Sequence, residues 1–309
     1  MPGTEQRIDP DRAAELVGLV RRVPSRLRRF SATEAAARTR HRIDAGLLDR
    51  LIGHGLPVVA AGGLRLFDDY DLANISLHLG LTSVRRRALR SWAGALRAAP
   101  GSGRAIGYAP SCPAPGHTSP CRFGLLVPGG RRVGRAGGGD GVTSLHTLTV
   151  RPRTAWPELP SAVAELLAEP SGLHFFLLPE TLRWDLGFLR DSGLADCGGA
   201  TRLCVREGRR RGLDVRFSFG LLVAKPYSTP HCWAEFRVDD VWVPVDPLLV
   251  SVLCRWGGLP AREWPPTRSP GALFTRLCGR FDRVAVHDGL WSGISLPTEV
   301  IDREGTEQG

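Results

Sequence analysis

Residues 191–247 decide the fold, and they read DSGLADCGGATRLCVREGRRRGLDVRFSFGLLVAKPYSTPHCWAEFRVDDVWVPVDP. The first part predicts a helix, because Asp196 is a good N-cap, apolar residues such as Leu203 repeat at helical spacing, and Gly212 provides an end. Cys197 then falls in the first helical turn. A thiol there lies against unpaired backbone N–H groups and the positive end of the helix dipole, which favour the thiolate.

The remainder of this stretch predicts three strands. They cover residues 215–223, 231–238 and 241–245, and each is rich in β-branched and aromatic residues. Asp239 and Asp240 separate the last two strands and predict a two-residue hairpin turn.

The turn fixes which residues of the hairpin lie opposite each other. Glu235 is expected to pair with Pro244, and Trp233 with Asp246. His231 lies two residues before Trp233 on the same face, so Asp246 becomes its diagonal neighbour at roughly 7 to 8 Å between backbones. A carboxylate that orients an imidazole, and an imidazole that takes a thiol proton, is the arrangement that a cysteine nucleophile needs.

A Cys that opens a helix, followed by HCWAEFRVDDVWVPVDP, resembles the core of transglutaminase-like proteins. The resemblance implies an α+β fold, with the catalytic helix packed on an antiparallel sheet, and a papain-like triad of Cys197, His231 and Asp246. It departs from papain-like enzymes at Asp191, where they place an oxyanion-donating Gln six residues before the cysteine.

Three further residues are predicted to contribute to the site. The indole N–H of Trp184 is a candidate oxyanion donor, and Gly198 leaves room for a substrate beside the sulfur. Trp233 is a candidate substrate platform, although packing within the sheet is the commoner role for such a residue.

The triad leaves three functions open. The leading hypothesis is acyl transfer through an acyl-enzyme that forms an amide bond, in specialised metabolite biosynthesis. The first alternative is a cysteine peptidase or amidase, since hydrolysis shares every step up to the acceptor. The third is a non-catalytic transglutaminase-like binding module.

The sequence predicts three regions along the chain. Residues 1–40 are rich in arginine and predict a basic N-terminal arm, and residues 41–142 predict a helical subdomain followed by a Gly/Pro-rich loop. The transglutaminase-like catalytic domain is expected at residues 143–309.

The charge and the cysteine content of the chain limit its expected cellular compartment and its expected binding partners. The net charge is +10, but Lys225 is the only lysine, so the arginine bias is typical of GC-rich coding and nucleic-acid binding is not expected. The seven cysteines and the absence of a long apolar stretch predict a cytoplasmic protein with reduced thiols and no membrane partner. The expected partners are a thioester or amide acyl donor, an amine acceptor and, as an option, an acidic carrier protein. The arginines that would meet this carrier protein are Arg206, Arg209, Arg210 and Arg211.

The remaining cysteines carry no chemistry in this interpretation. Cys204 and Cys232 are predicted to be core residues, with Cys232 pointing to the opposite face from His231. Cys112, His117 and Cys121 are zinc-ligand types, but they lie in a Pro-rich loop without a fourth ligand at regular spacing. We therefore predict no metal and no cofactor.

Overall fold

The computed structural model describes residues 9–98, 102–114, 116 and 120–301. No helix within these ranges has the length and apolar character needed to cross a membrane. The α-helices of these ranges are α1 (Pro10–Arg21), α2 (Glu34–His41), α3 (Ala45–Gly53), α4 (Asp69–His78), α5 (Val84–Arg97), α6 (Ser161–Ser171), α7 (Glu180–Arg183), α8 (Leu186–Ser192), α9 (Cys197–Arg210) and α10 (Pro247–Val252).

The strands form several small sheets. Their bounds are β1 (Phe30–Thr33), β2 (Val59–Ala61), β3 (Leu64–Asp68), β4 (Gly103–Pro110), β5 (Cys121–Val127), β6 (Arg131–Gly137), β7 (His146–Val150), β8 (His174–Phe175), β9 (Leu194–Ala195), β10 (Val215–Leu222), β11 (Thr229–Val238), β12 (Val241–Val245), β13 (Phe274–Cys278), β14 (Ala285–His287), β15 (Leu290–Trp291), β16 (Ile294–Ser295) and β17 (Thr298–Ile301). A π-helical turn, Leu253–Gly257, follows α10.

The sheet that carries the site has the strand order β12-β11-β10-β13 and is antiparallel. Asp239 and Asp240 form the turn between β11 and β12, with φ angles of 45° and 63°. Aspartate tolerates this left-handed conformation better than most residues, which explains why this pair serves as a hairpin turn.

The predicted hairpin register is confirmed, with Glu235 opposite Pro244. The ladder ends at Ala234 opposite Val245, since Asp246 leaves the strand and becomes the N-cap of α10. The predicted last pair of the hairpin is therefore absent from the ladder, but the carboxylate still lies at the end of β12.

Helix α9 packs across β10 and β11, as the family resemblance implies. Its residues Cys204 and Val205 are buried with Ala234 and Phe236 of β11, and the apolar side of α6 covers the same cluster. This layer of helix on antiparallel sheet fixes the position of the first turn of α9 relative to the start of β11.

Residues 10–40 differ from the predicted arm. Leu16 and Val17 of α1 are buried in one cluster with residues of α3 and α4 and with Phe176. Arg28 and Asp71 form a buried ion pair, with Nε 2.7 Å from Oδ2. The segment is held by this packing and pairing, which the weak apolar stripe of the sequence did not reveal.

The Gly/Pro-rich part of residues 41–142 also differs from the expected loop. It contains strands β4, β5 and β6, with Gly129 and Gly130 between β5 and β6 at φ angles of 85° and 74°. Strand β4 pairs with β7 and β17, and β5 pairs with β14. Two sheets therefore contain strands from both sides of the boundary predicted at residue 142. The described part of this region is not the expected loop, because many of its glycines lie in turns between strands.

Candidate active site

The first turn of α9 is fixed by the capping carboxylate of Asp196. Its Oδ1 accepts hydrogen bonds from the backbone N–H groups of Gly198 and Gly199, at 3.0 and 3.2 Å. Cys197 is thereby the first residue of the helix, and it is only partly buried. A partly exposed thiol at a helix N-terminus is accessible to a substrate.

His231 and Asp246 form a buried couple at the ends of β11 and β12. The Nε2 atom of His231 lies 2.7 Å from Oδ2 of Asp246, and the two residues are 8% and 5% exposed. The other carboxylate oxygen accepts the backbone N–H of Leu249 at 2.8 Å, which fixes the carboxylate. Since Asp246 occupies Nε2, Nδ1 is the ring nitrogen that faces Cys197.

The sulfur of Cys197 and the ring of His231 are tuned as an ion pair. Hydrogen bonding by the Cys232 thiol lowers the pKa of Cys197 well below its usual range, burial opposes this, and the charge and hydrogen bond of His231 assist it. Burial on its own would lower the pKa of His231, but the Cys197 charge and the Asp246 hydrogen bond together raise it to about 10. Thiolate and imidazolium are therefore the favoured forms at neutral pH.

Cys232 belongs to this site, which the sequence analysis missed. Its burial is confirmed, but its thiol acts as a hydrogen-bond donor to Cys197, and this bond together with burial raises the pKa of Cys232. Strand alternation assigns Cys232 and His231 to opposite faces, yet both reach the same sulfur. The sequence alone offered no signal for this contact.

Arg183 is the second residue that the sequence analysis missed. Its guanidinium forms an ion pair with Asp196 and also lowers the pKa of Cys197. Burial and the Cys197 charge raise the pKa of Asp196 to about 7, and Arg183 opposes that shift. Arg183 thus offsets the repulsion that a capping carboxylate exerts on a neighbouring thiolate.

Gly198 does not leave the space that the sequence analysis expected. A Cβ atom there would lie 2.8 Å from Cγ of Arg183 and 3.0 Å from Cη2 of Trp184, so these two side chains use the room. The Gly198 N–H is also engaged by Asp196. The absence of a side chain at Gly198 therefore lets Arg183 and Trp184 pack against the first turn of α9. The Gly198 N–H is not available to bind an oxyanion.

The two tryptophans of interest occupy different surroundings. Trp184 lies beside the first turn of α9 and packs against Phe281, with ring centroids 5.0 Å apart. Trp233 is 1% exposed, donates its indole N–H to Glu235 at 2.9 Å and stacks on Phe274 at 4.5 Å. Packing within the sheet is therefore the main role of Trp233.

A cavity of about 390 Å³ opens on the His231 side of the sheet. Phe274, one of its walls, packs against the ring of His231 with centroids 5.3 Å apart. The other walls carry aromatic and charged side chains, namely Arg153, Trp156, Arg216, Trp233, Glu235, Asp240, Trp242 and Arg276. The indole N–H of Trp156 is buried and has no hydrogen-bond partner among the described residues.

Of the three residues considered as zinc ligands, His117 lies outside the described residues. Cys112 and Cys121 are not part of the active site, and their side chains meet that of His287.

Comparison with protein-family models found that residues 185–247 match the model of the transglutaminase-like superfamily. The match begins at α8 and ends at the start of α10, and it includes Cys197, His231 and Asp246. Comparisons with curated proteins and with solved structures found no match. The resemblance is confirmed for these residues, and it indicates cysteine-based catalysis, since members of this superfamily are usually enzymes.

Proposed function

We propose that the chain is a cysteine acyltransferase with a papain-like triad, in which Cys197 is the nucleophile, His231 moves the proton and Asp246 orients the imidazole. The observation that carries the proposal is the buried His231–Asp246 couple, 2.7 Å between Nε2 and Oδ2, with Cys197 close enough for its charge to raise the pKa of the same ring. A carboxylate that orients an imidazole, and an imidazole that exchanges a proton with a thiol, are the groups that covalent acyl chemistry requires.

In the first half of the proposed reaction, the Cys197 thiolate attacks the carbonyl carbon of a thioester or amide. The leaving thiol or amine takes the proton of His231, and the acyl group remains on the sulfur. In the second half, an amine attacks this thioester and gives its proton to His231, which releases an amide and restores the thiolate. Hydrolysis differs only in that water replaces the amine.

Stabilisation of the oxyanion falls to Trp184 in this proposal. The Cη2 edge of the indole lies beside the first turn of α9, and the Gly198 N–H is already engaged by Asp196, so Trp184 donates after a rotation that turns its N–H toward the sulfur. An N–H donor directed at the developing negative charge is worth about 10²- to 10³-fold in kcat.

The cavity behind Trp233 and Phe274 is the proposed site for a part of the acyl acceptor or donor remote from the reacting carbonyl, since none of the three triad residues lines it. Its aromatic and arginine walls suit a substrate with both apolar and carboxylate or carbonyl groups. The buried indole N–H of Trp156 would donate a hydrogen bond to such an acceptor atom.

An acidic carrier protein is the proposed source of the thioester. Arg206 and Arg209 are exposed on α9, while Arg210 pairs with Glu207. A second basic surface is a groove of about 320 Å³ that includes Arg90, and its lining residues carry four arginines and no carboxylate. Exposed positive charge of this kind accelerates encounter with an acidic partner. A carrier-bound donor fits a role in specialised metabolite biosynthesis.

The direct test is intact mass spectrometry of the purified full-length chain after incubation with acyl thioesters and peptide amides, with and without an added amine. We expect an acyl adduct on Cys197 and an amide product when the amine is present. Release of free acid at the same rate with or without amine would favour the peptidase or amidase. No adduct with any donor, from a folded protein, would favour the binding module.

A further inference from the structure

Three side chains with metal-binding chemistry meet at a second place in the fold. Cys112 follows β4, Cys121 begins β5, and His287 ends β14, which pairs with β5. Their ligand atoms all lie within 4.8 Å of one another, and Cys121 and His287 are 3% and 7% exposed. We call these three residues the strand cluster.

The composition of the strand cluster selects among metals. Thiolate sulfur and imidazole nitrogen are the ligands of tetrahedral zinc, at about 2.3 Å and 2.0 to 2.1 Å. Two sulfur atoms bonded to tetrahedral zinc lie about 3.8 Å apart. The three ligand atoms lie within 4.8 Å of one another, so side-chain movements of about 1 Å would bring the sulfur atoms to this separation.

We propose that the strand cluster binds one zinc ion through the sulfur atoms of Cys112 and Cys121 and the imidazole of His287. The fourth coordination position is filled by water or another donor. His117 lies outside the described residues and is not part of the proposed site. The proposal does not depend on the acyl transfer proposed above.

The surroundings hold the ligands in place. The backbone N–H of Cys112 donates to the carbonyl oxygen of Gly139 at 2.8 Å, and Gly139 has a φ of +64°. A Cβ at Gly139 would lie 3.0 Å from Cβ of Cys112 and 2.9 Å from Cζ of Phe123, so this tight backbone approach requires glycine. The Phe123 ring packs on His287, with centroids 5.2 Å apart.

A carboxylate lies beside the imidazole of the strand cluster. Oδ2 of Asp288 is 3.4 Å from Nδ1 of His287. A metal-binding histidine commonly donates its other ring N–H to a carboxylate, which orients the ring and strengthens the ligand. Asp288 is therefore a positioning residue for zinc bound at Nε2.

The proposed ion would join segments that are distant in sequence. Cys112 and Cys121 flank the Pro-rich connection between β4 and β5, whereas His287 lies 166 residues beyond Cys121. Cys121 belongs to the buried cluster against which Cys197 also packs. We therefore assign the ion a structural role that supports the sheets next to the active site.

The test is zinc analysis of the full-length protein by inductively coupled plasma mass spectrometry, after exhaustive dialysis against metal-free buffer. About one zinc per chain is expected, with losses to below 0.2 in Cys112→Ser, Cys121→Ser and His287→Ala. Cys278→Ser is the matched control, since Cys278 is a partly buried cysteine outside the cluster, and it should retain the metal.

X-ray absorption of the wild-type protein tests the ligands without relying on the folding of variants. It should give two sulfur ligands at about 2.3 Å and one or two nitrogen or oxygen ligands at about 2.0 to 2.1 Å. Zinc content near zero in protein refolded with excess zinc would overturn the proposal. So would zinc that persists in all three variants, or a disulfide between Cys112 and Cys121 in the purified protein.

Discussion

Two clusters in the described part of the chain contain two cysteines and one histidine, yet they are built for different chemistry. In the active site, a buried carboxylate fixes the histidine, and a helix N-terminus and Arg183 place positive charge beside one of the sulfur atoms. In the strand cluster, the three ligand atoms converge within 4.8 Å and the nearby carboxylate of Asp288 is exposed. In the active site, these residue types form a nucleophile, because positive charge stabilises the thiolate of one cysteine. In the strand cluster, they form a set of metal ligands, because the two sulfur atoms and the imidazole lie close together. The members of the active-site cluster are Cys197, Cys232 and His231.

The largest effect that would separate the two clusters is expected from Cys197→Ala. Acyl transfer should fall by at least about 10³-fold, because no other group at the site forms the covalent intermediate. Zinc content and the thermal midpoint should remain near wild type, since Cys197 is only partly buried. Cys278→Ala is the control, and activity of Cys197→Ala within tenfold of this control would contradict the assignment.

Asp246→Asn should lower kcat by about 10²- to 10⁴-fold, because a neutral amide stabilises the imidazolium of His231 less than a carboxylate does. Asparagine still caps a helix, so the fold should persist. Asp185→Asn is a matched control, since Asp185 caps α8 by accepting from the Phe188 N–H at 3.0 Å. Equal kcat values in the two variants would show that Asp246 serves only as a cap.

Chelation should affect only the strand cluster. Treatment with a strong zinc chelator should raise alkylation of Cys112 and Cys121 by about tenfold, since metal-bound thiolates are shielded. The alkylation rate of Cys197 should stay constant under the same treatment. Site-resolved peptide mass spectrometry measures all three rates, and a parallel rise at Cys197 would mean that the clusters are not independent.

A smaller effect is expected from Cys232→Ala. Loss of its hydrogen bond should raise the pKa of Cys197. The thiolate is present above the pKa and is lost as the pH falls through it, so the pH below which alkylation of Cys197 slows should be higher in the variant than in the wild type, with equal rates at high pH. Cys204→Ala is the matched control, since it removes another buried thiol, on α9 itself, and should leave the pH profile of Cys197 alkylation unchanged.

The smallest effect concerns the partner. Raising salt from 0.1 to 1 M shortens the Debye length from about 10 to about 3 Å, so kcat/KM for an acidic carrier-bound donor should fall by about threefold. Arg209→Glu and Arg90→Glu test the two basic surfaces separately. The substitution on the surface that binds the donor should lower kcat/KM as high salt does, with kcat nearly unchanged. A flat salt profile, or equal turnover of a free thioester, would eliminate the carrier protein.

Local patterns in the sequence predicted α9, the β11–β12 register and the meeting of His231 with Asp246, because turn length and strand alternation fix these short-range contacts. Contacts between distant segments were not accessible in this way. Arg183 reaches Asp196 from a short helix without periodicity, and His287 reaches the strand cluster only because β14 pairs with β5. The burial of α1 likewise depends on tertiary packing.

The measurement that tests the account most directly is site-resolved alkylation by iodoacetamide at pH 6 and below. An ordinary thiol with a pKa of about 8.5 is only about 0.3% thiolate at pH 6. The lowered pKa of Cys197 favours its thiolate as the pH falls, and the imidazolium of His231 is lost only as the pH rises through about 10. We predict that Cys197 is alkylated at least about tenfold faster than Cys254 and Cys278, with a rate that changes little between pH 6 and 9. A Cys197 rate equal to theirs, rising tenfold per pH unit, would contradict the thiolate–imidazolium pair and the nucleophile assignment.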